Sequence, residues 1–274
     1  MLLNKFRLSK KEKIIDRVRK LFNNSSSEWV TFEGSYSDFA AVSDNLCGGV
    51  GYNADAIFEK VSSAALKVRD GKACFERDGY LFYEEEFDLE LLAAFYEIAM
   101  TDKKISVLDY GGSFGSTFFQ NKRKLYQLTI PIQWNIIEQE HFITFGQANL
   151  ENEILHFYRK IEEIGEYNAV LFSAALQYIE NYREVLNKIF SDSPRFIITD
   201  RVTVSDENYV CVERVHEPIY EASYSVYVFA EEDFIRIFTD AGYRIESEWI
   251  KNRNWAYNAD GKLIYEKSYF WIKC

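Results

Sequence analysis

From residue 105 onward, short and nearly continuous apolar runs alternate with stretches whose apolar positions recur every three or four residues. The runs at 105–108, 134–137, 154–158, 169–172 and 195–199 predict strands covered on both faces, as in a parallel sheet with helices on either side. Helices are predicted at 116–126, with Phe118, Phe119 and Lys122, at 140–148, and at 231–241, where Gly242 ends the last of them. Two aromatic-rich stretches, 243–250 and 265–273, flank Asn258-Ala-Asp-Gly261 and predict an antiparallel pair at the end of the chain. Residues 205–230, with His216, Tyr220, Tyr224 and Tyr227, read as a long insertion ahead of the 231–241 helix.

The first 104 residues follow a different pattern. Residues 9–22 place Ile14, Ile15, Val18, Leu21 and Phe22 on one helical face with Lys11, Lys13, Arg17, Arg19 and Lys20 mostly elsewhere, and the polar run 23–27 reads as a hinge. Residues 28–104 read as a predominantly helical cap. One helix there is capped by Asn53 or Asp55, carries Ile57, Phe58, Val61, Ala65 and Val68, and ends at Gly71. A second opens at Asp88 and turns Leu91, Leu92, Phe95 and Ile98 inward. The glycines at 48, 49 and 51 describe a loop able to close over a pocket. The expected division is therefore 1–27, a basic helix and hinge; 28–104, the cap; and 105–274, an α/β unit.

Charge and cysteine usage narrow the chemistry. Net charge is −11, yet residues 1–23 alone carry +6, so the remainder is strongly acidic and repels phosphate backbones. A nucleic-acid partner is disfavoured, whereas the basic helix suits peripheral contact with an anionic membrane. Cys47, Cys74, Cys211 and Cys274 form no C-x-x-C pair and follow no secretory segment, which predicts a reducing, cytoplasmic setting and excludes an iron–sulfur radical cluster. His141, His156 and His216 lack metal-ligand spacing, so no metal is expected.

The most informative stretch is Ile105 to Ser116: a buried strand ending in Asp109, a turn with Gly111, Gly112, Ser113 and Gly115, and a helix opening at Ser116. Bare backbone at a helix N-terminus makes a nucleotide-sized site. In the dinucleotide frame G-x-G-x-x-G, Tyr110 stands where the first glycine belongs, and no Gly-Lys-Ser/Thr follows for a P-loop. A carboxylate in such a pocket opposes pyrophosphate and suits a ligand with positive charge, such as the sulfonium and amino group of S-adenosylmethionine.

Asp109-Tyr-Gly-Gly-Ser-Phe-Gly115 resembles motif I of class I S-adenosylmethionine-dependent methyltransferases. Taken with Trp134-Asn-Ile-Ile-Glu138-Gln139, Ser173-Ala-Ala-Leu-Gln177-Tyr178, Thr199-Asp200-Arg201, Gly51-Tyr52 and Glu76-Arg77-Asp78, it resembles a methyltransferase family of bacterial surface-polysaccharide clusters. That resemblance implies a Rossmann-like, mostly parallel seven-stranded sheet with a C-terminal antiparallel pair, S-adenosylmethionine as cofactor, and O- or N-methylation of a sugar in a polysaccharide precursor. It places cofactor contacts at Asp109, Gly111, Gly112, Ser113, Gly115, Ser116, Glu138, Gln139, Tyr158, Ser173 and Gln177, with Glu138 on the ribose hydroxyls. Acceptor contacts fall to Tyr52, Arg77, Tyr80, Arg201 and Tyr224. An acceptor hydroxyl also needs a base, for which Asp200, His141 and His216 are candidates, with Tyr178 to orient it; no motif singles one out. A non-catalytic scaffold that keeps this fold is the alternative. A nicotinamide-dependent enzyme is weakened by Tyr110 and by the lack of a Tyr-x-x-x-Lys pair.

Overall fold

The structure is a computed structural model that describes residues 30–43, 55–216, 221–250, 255–258 and 260–274. Helix 9–22, the 47–52 loop and Tyr52 lie outside the described residues. The centre is a run of parallel strands ordered β6 (Leu155–Tyr158), β5 (Ile132–Ile137), β4 (Ile105–Tyr110), β7 (Ala169–Ser173) and β8 (Phe196–Ser205). Beyond β8, β13 (Leu263–Lys273) runs antiparallel to it, and β11 (Tyr243–Trp249) runs antiparallel to β13. The sheet thus has the Rossmann-like arrangement expected from the sequence, with its antiparallel pair at the end of the chain.

Period-two alternation explains how the sheet is covered on both faces. Ile105 and Val107 of β4, Phe196 and Ile198 of β8, and Phe270 of β13 face α2 (Asp55–Arg69), α3 (Leu89–Asp102), α4 (Ser116–Tyr126) and α5 (Glu140–Asn149). Leu108, Ile197, Tyr269 and Trp271 point the other way, onto α6 (Tyr182–Asp192) and α7 (Glu231–Asp240). Helix ends follow local chemistry. Asp88 caps α3 by accepting the Leu91 N–H at 3.1 Å, and Gly71, at φ +70°, turns the chain after α2.

Two departures from expectation bear on function. First, the sheet exceeds seven strands. The stretch read as an insertion is an antiparallel ribbon of β9 (Tyr209–Val215) and β10 (Ala222–Ala230), and β1 (Val30–Tyr36) pairs with β9 on its outer edge. β8 makes this possible because it outruns β7: residues 196–200 pair with β7, while Val204 and Ser205 pair with β10. The ribbon therefore joins the sheet beyond the carboxyl end of β7. β12 (Trp255–Tyr257) pairs with β13 at the same end.

Second, the region 28–104 is not helical throughout. Besides β1 it contains a hairpin, β2 (Phe75–Arg77) and β3 (Tyr80–Phe82), closed by Asp78-Gly79 with φ of +51° and +76°. An Asp-Gly pair at positive φ is the two-residue hairpin turn that matches strand twist. The sequence carries that hairpin signal in Asp78-Gly79.

Packing of the C-terminal half centres on Trp271. It is fully buried, stacks on Phe238 at 4.4 Å and donates from Nε1 to Thr199 Oγ1 at 3.0 Å. Trp271→Ala is expected to destabilise the fold by about 3–5 kcal/mol, read as a lower urea midpoint. A midpoint within error of the unsubstituted chain would show that β13 is not integral to the sheet.

Candidate functional site

The carboxyl ends of β4, β5, β7 and β8 open onto one crevice, and the glycine turn after β4 forms its floor. Gly111 has φ +72° and donates to the Ile137 carbonyl at 2.8 Å; a Cβ there would lie 2.8 Å from that of Ala175. At Gly112 an added Cβ would come within 2.6 Å of the Asp109 carboxylate. Gly115, at φ +87°, then begins α4 without a side-chain cap, so the first N–H groups of that helix are left for a ligand.

Asp109 differs from expectation in where it points. Its side chain shares the face of Val107 and lies beneath Gly112, where Oδ2 accepts the Trp134 Nε1–H at 2.8 Å and Oδ1 has no partner. With 1% of its surface exposed, it braces the turn from below instead of presenting charge to the crevice. Burial is the main force raising its pKa to about 7; the Trp134 hydrogen bond opposes this and Glu138 adds to it.

Glu138 stands at the end of β5, beside the turn. Its Oε1 accepts the Ser113 N–H at 3.1 Å and its Oε2 the Gln139 N–H at 2.8 Å. Each oxygen keeps a further lone pair, so this carboxylate can accept two hydroxyl groups side by side. Gln139 is exposed next to it, and Tyr158 lies half-buried at the end of β6. Glu138, Gln139 and Tyr158 thus stand at the carboxyl ends of the adjacent strands β5 and β6.

The β2–β3 hairpin covers the start of α4. Glu76, which sequence reading left out of the site, accepts the Ser116 hydroxyl and, at 3.0 Å, the Gly79 N–H. Ser116 is thereby committed to the hairpin. Burial raises the Glu76 pKa to about 7 against those two hydrogen bonds. Arg77 donates to Gln120 Oε1 at 2.6 Å, while burial and the nearby Arg201 guanidinium hold its pKa below the usual range. Tyr80 stacks with the Lys60 ammonium at 4.1 Å and so faces α2.

At the other end, the Asp200 carboxylate is fully engaged. Oδ2 takes the Ser173 hydroxyl at 2.8 Å and Arg201 Nε at 3.1 Å, and Oδ1 takes the Ser268 hydroxyl at 2.9 Å. Arg201 also donates from Nη2 to Ser173 Oγ at 2.9 Å. Gln177 is buried and donates to the Arg201 carbonyl at 3.0 Å, leaving its own Oε1 without a partner. The Tyr178 hydroxyl donates to Glu213 Oε2 on β9 at 2.8 Å, and the ring of Tyr224 on β10 packs edge-on to Tyr178 at 5.9 Å.

Backbone strain gathers at this edge. Of the non-glycine residues with positive φ, Asp78, Ser113, Ala174 and Arg201 border the crevice, whereas Lys103 and Ser193 are ordinary helix C-caps. Such conformations persist where surrounding contacts over-determine them, a pattern typical of ligand sites.

Three of the residues expected to act as a base are placed otherwise. Asp200 is held by three donors, and its role is to anchor Arg201 and Ser173. His141 packs at the α2–α5 contact against Phe58 at 5.0 Å and Phe142 at 4.8 Å. His216 lies at the outer end of β9, its Nε2 3.3 Å from Thr31 Oγ1. Besides Glu76, the residues missed by sequence reading are Glu213 and Ser268, which reach the crevice from strands whose pairing no local pattern encodes.

Comparison with known proteins adds structural likeness at low identity. No family model and no curated protein matches the chain. Among solved structures it is similar to the N-terminal domain of EvdMO1 with S-adenosylhomocysteine and D-fucose, at 14% identity over 79% of this chain and 97% of that one, TM-score 0.47. It is also similar to an S-adenosylmethionine-dependent methyltransferase from Clostridium acetobutylicum, at 10% identity over 79% and 98%, TM-score 0.44. A third is CalS10, an amino pentose methyltransferase from Micromonospora echinaspora, at 10% identity over 67% and 89%, TM-score 0.42. At these values the likeness carries no argument about activity. The strand order and the closing antiparallel pair are those of a Rossmann-like α/β fold.

The buried carboxyls give the protein a pH signature. Asp109, with an ordinary value of 3.8, is raised to about 7, so the folded chain retains a proton that the unfolded chain releases near pH 4. Its stabilising contribution is complete below the unfolded value and is lost as pH rises through 7. The urea midpoint of the ligand-free protein is expected to fall between pH 5 and pH 8, and Asp109→Asn to flatten that fall. An identical pH slope in the variant would show that Asp109 is not held protonated under the turn.

Proposed function

We propose that the chain is an S-adenosylmethionine-dependent methyltransferase acting on a small-molecule or glycan-precursor acceptor, a sugar of a cell-surface polysaccharide among them. The observation that carries this reading is the pairing of an uncapped helix N-terminus and glycine turn with Glu138 at the next strand end, its carboxylate able to accept two adjacent hydroxyls. An adenosyl ribose presents two such hydroxyls. Glu138 would hold them with Gln139 alongside, Tyr158 would border the adenine, and the backbone from Gly111 to Gly115 would take the methionine portion. Ser173 and Gln177 would border the sulfonium. Asp109 serves that site by fixing the turn, and Arg77, Arg201 and Tyr224 remain acceptor contacts.

S-adenosylmethionine supplies a methyl carbon already activated by its sulfonium, so the protein's work is to bind, align and exclude water. The acceptor class rests on the sequence resemblance and on a crevice wall that mixes aromatic rings with charged groups, a lining suited to a polar ring compound. No helix among the described residues is long and apolar enough to cross a membrane. Contact with a membrane would fall to the basic residues 1–23, and a cytoplasmic setting follows from the cysteine usage.

Isothermal titration with S-adenosylmethionine, S-adenosylhomocysteine and NAD tests the reading directly: the first two are expected to bind and NAD not to. Glu138→Ala should weaken both by about 1–3 kcal/mol, roughly fivefold to 150-fold, the cost of losing hydrogen bonds to a charged group. Equal affinity in the variant would remove the ribose assignment. Deletion of residues 1–23 should leave these affinities unchanged while reducing co-sedimentation with phosphatidylserine vesicles. Undiminished co-sedimentation would place the membrane contact elsewhere.

A further inference from the structure

We propose that Glu213, steadied by the Tyr178 hydroxyl, is the group that takes the proton from the acceptor as it is methylated; this rests on the methyltransferase reading above. Methylation of a hydroxyl or an amine leaves a proton on the acceptor atom that a nearby base must remove. Asp200 is held by three donors, His216 lies against Thr31 at the outer end of β9, and His141 is enclosed by Phe58 and Phe142 with its Nε2 buried and unpartnered, which leaves Glu213 as the carboxylate on the acceptor side.

Glu213 has the placement. Its strand, β9, belongs to the ribbon that joins the sheet beyond the carboxyl end of β7, and its side chain reaches back to Tyr178 on the short turn after β7. That turn also carries Gln177 and follows directly on Ser173, on the side assigned to the sulfonium. The groups that act on Glu213 come from separate elements: Tyr178 after β7, Asp78 at the hairpin tip, Glu266 on β13, and Cys211 two residues along β9. Asp78 and Glu266 act on Arg201 as well, and the hairpin carrying Asp78 is fastened through Glu76 to Ser116 beside the glycine turn. Glu213 therefore stands beside the turn that follows β7 and within electrostatic reach of the hairpin tip.

The chemistry agrees with the placement. Glu213 is 8% exposed and among the described residues takes a hydrogen bond from Tyr178 alone, on Oε2. Oε1 is left to meet an acceptor. Burial raises its pKa to about 7, Tyr178 opposes the rise, and Glu266 and Asp78 add to it. A base poised there can accept a proton near neutral pH and lose it again to solvent. In the step itself the acceptor oxygen or nitrogen bonds to the methyl carbon, the carbon–sulfur electron pair stays on sulfur, and the acceptor's proton passes to Glu213 Oε1.

The test uses the full chain and needs no acceptor. S-adenosylmethionine carries a sulfonium charge where S-adenosylhomocysteine has a neutral sulfur. If Glu213 faces that position, binding the former expels its proton and binding the latter does not. Titration calorimetry at pH 7 in buffers of different ionisation enthalpy reads the protons released by each compound. Greater release with S-adenosylmethionine is expected in the native chain and lost in Glu213→Gln while both compounds still bind. Tyr178→Phe provides a second variant; removing the hydroxyl that holds the Glu213 pKa down should move the pH of maximal difference upward. A difference that persists in Glu213→Gln, or an unmoved maximum in Tyr178→Phe, overturns the proposal. If neither compound binds the native chain, the methyltransferase reading fails, a result distinct from failure of the base assignment.

Discussion

The crevice depends on one buried contact, the Asp109 carboxyl held between Trp134 Nε1 and the underside of Gly112. An ionised carboxylate so enclosed is costly, and burial pushes its pKa up to about 7, so the group keeps its proton below that pH. A neutral acid with one indole donor can sit under a turn where any side chain on Gly112 would collide with it. The turn's path, the start of α4 and the position of Ser113 against Glu138 all follow from that packing. A single acid–glycine contact thus couples the end of β4 to the end of β5.

Above this floor, two irregular pieces complete the site. The hairpin at 75–82 is tied down by Glu76 to Ser116 and by Arg77 to Gln120, both on the first turns of α4. The β9–β10 ribbon comes from the opposite side, supported by the overhang of β8. Neither is part of the central parallel sheet. Charges on the hairpin (Arg77 and Asp78), on the ribbon (Glu213) and on the neighbouring strands β8 and β13 (Arg201 and Glu266) act on one another across the gap.

The central sheet was legible because its residues obey local rules. Apolar runs gave the five parallel strands, and the glycine turn with Glu138 marked the ligand end. What escaped is non-local. Asp109 looks like an exposed charge until Trp134, 25 residues away, is brought beside it. Asp200 looks like a base until Ser268, 68 residues away, closes over it. Glu213 is one acid among many in the sequence and acquires meaning only when the ribbon sets it against Tyr178. The Asp78-Gly79 hairpin turn, by contrast, is a local signal written in two adjacent residues.

The pairing of β1 with β9 has a consequence for how the molecule is made. Val30 meets Val215, so the first described strand finds its partner only after nearly two hundred further residues have emerged. Closing so large a loop is slow relative to forming the neighbouring β–α units. The floor around the glycine turn, built from residues close together in the chain, can take shape while synthesis continues. The ribbon wall is then completed late, on a central sheet already in place.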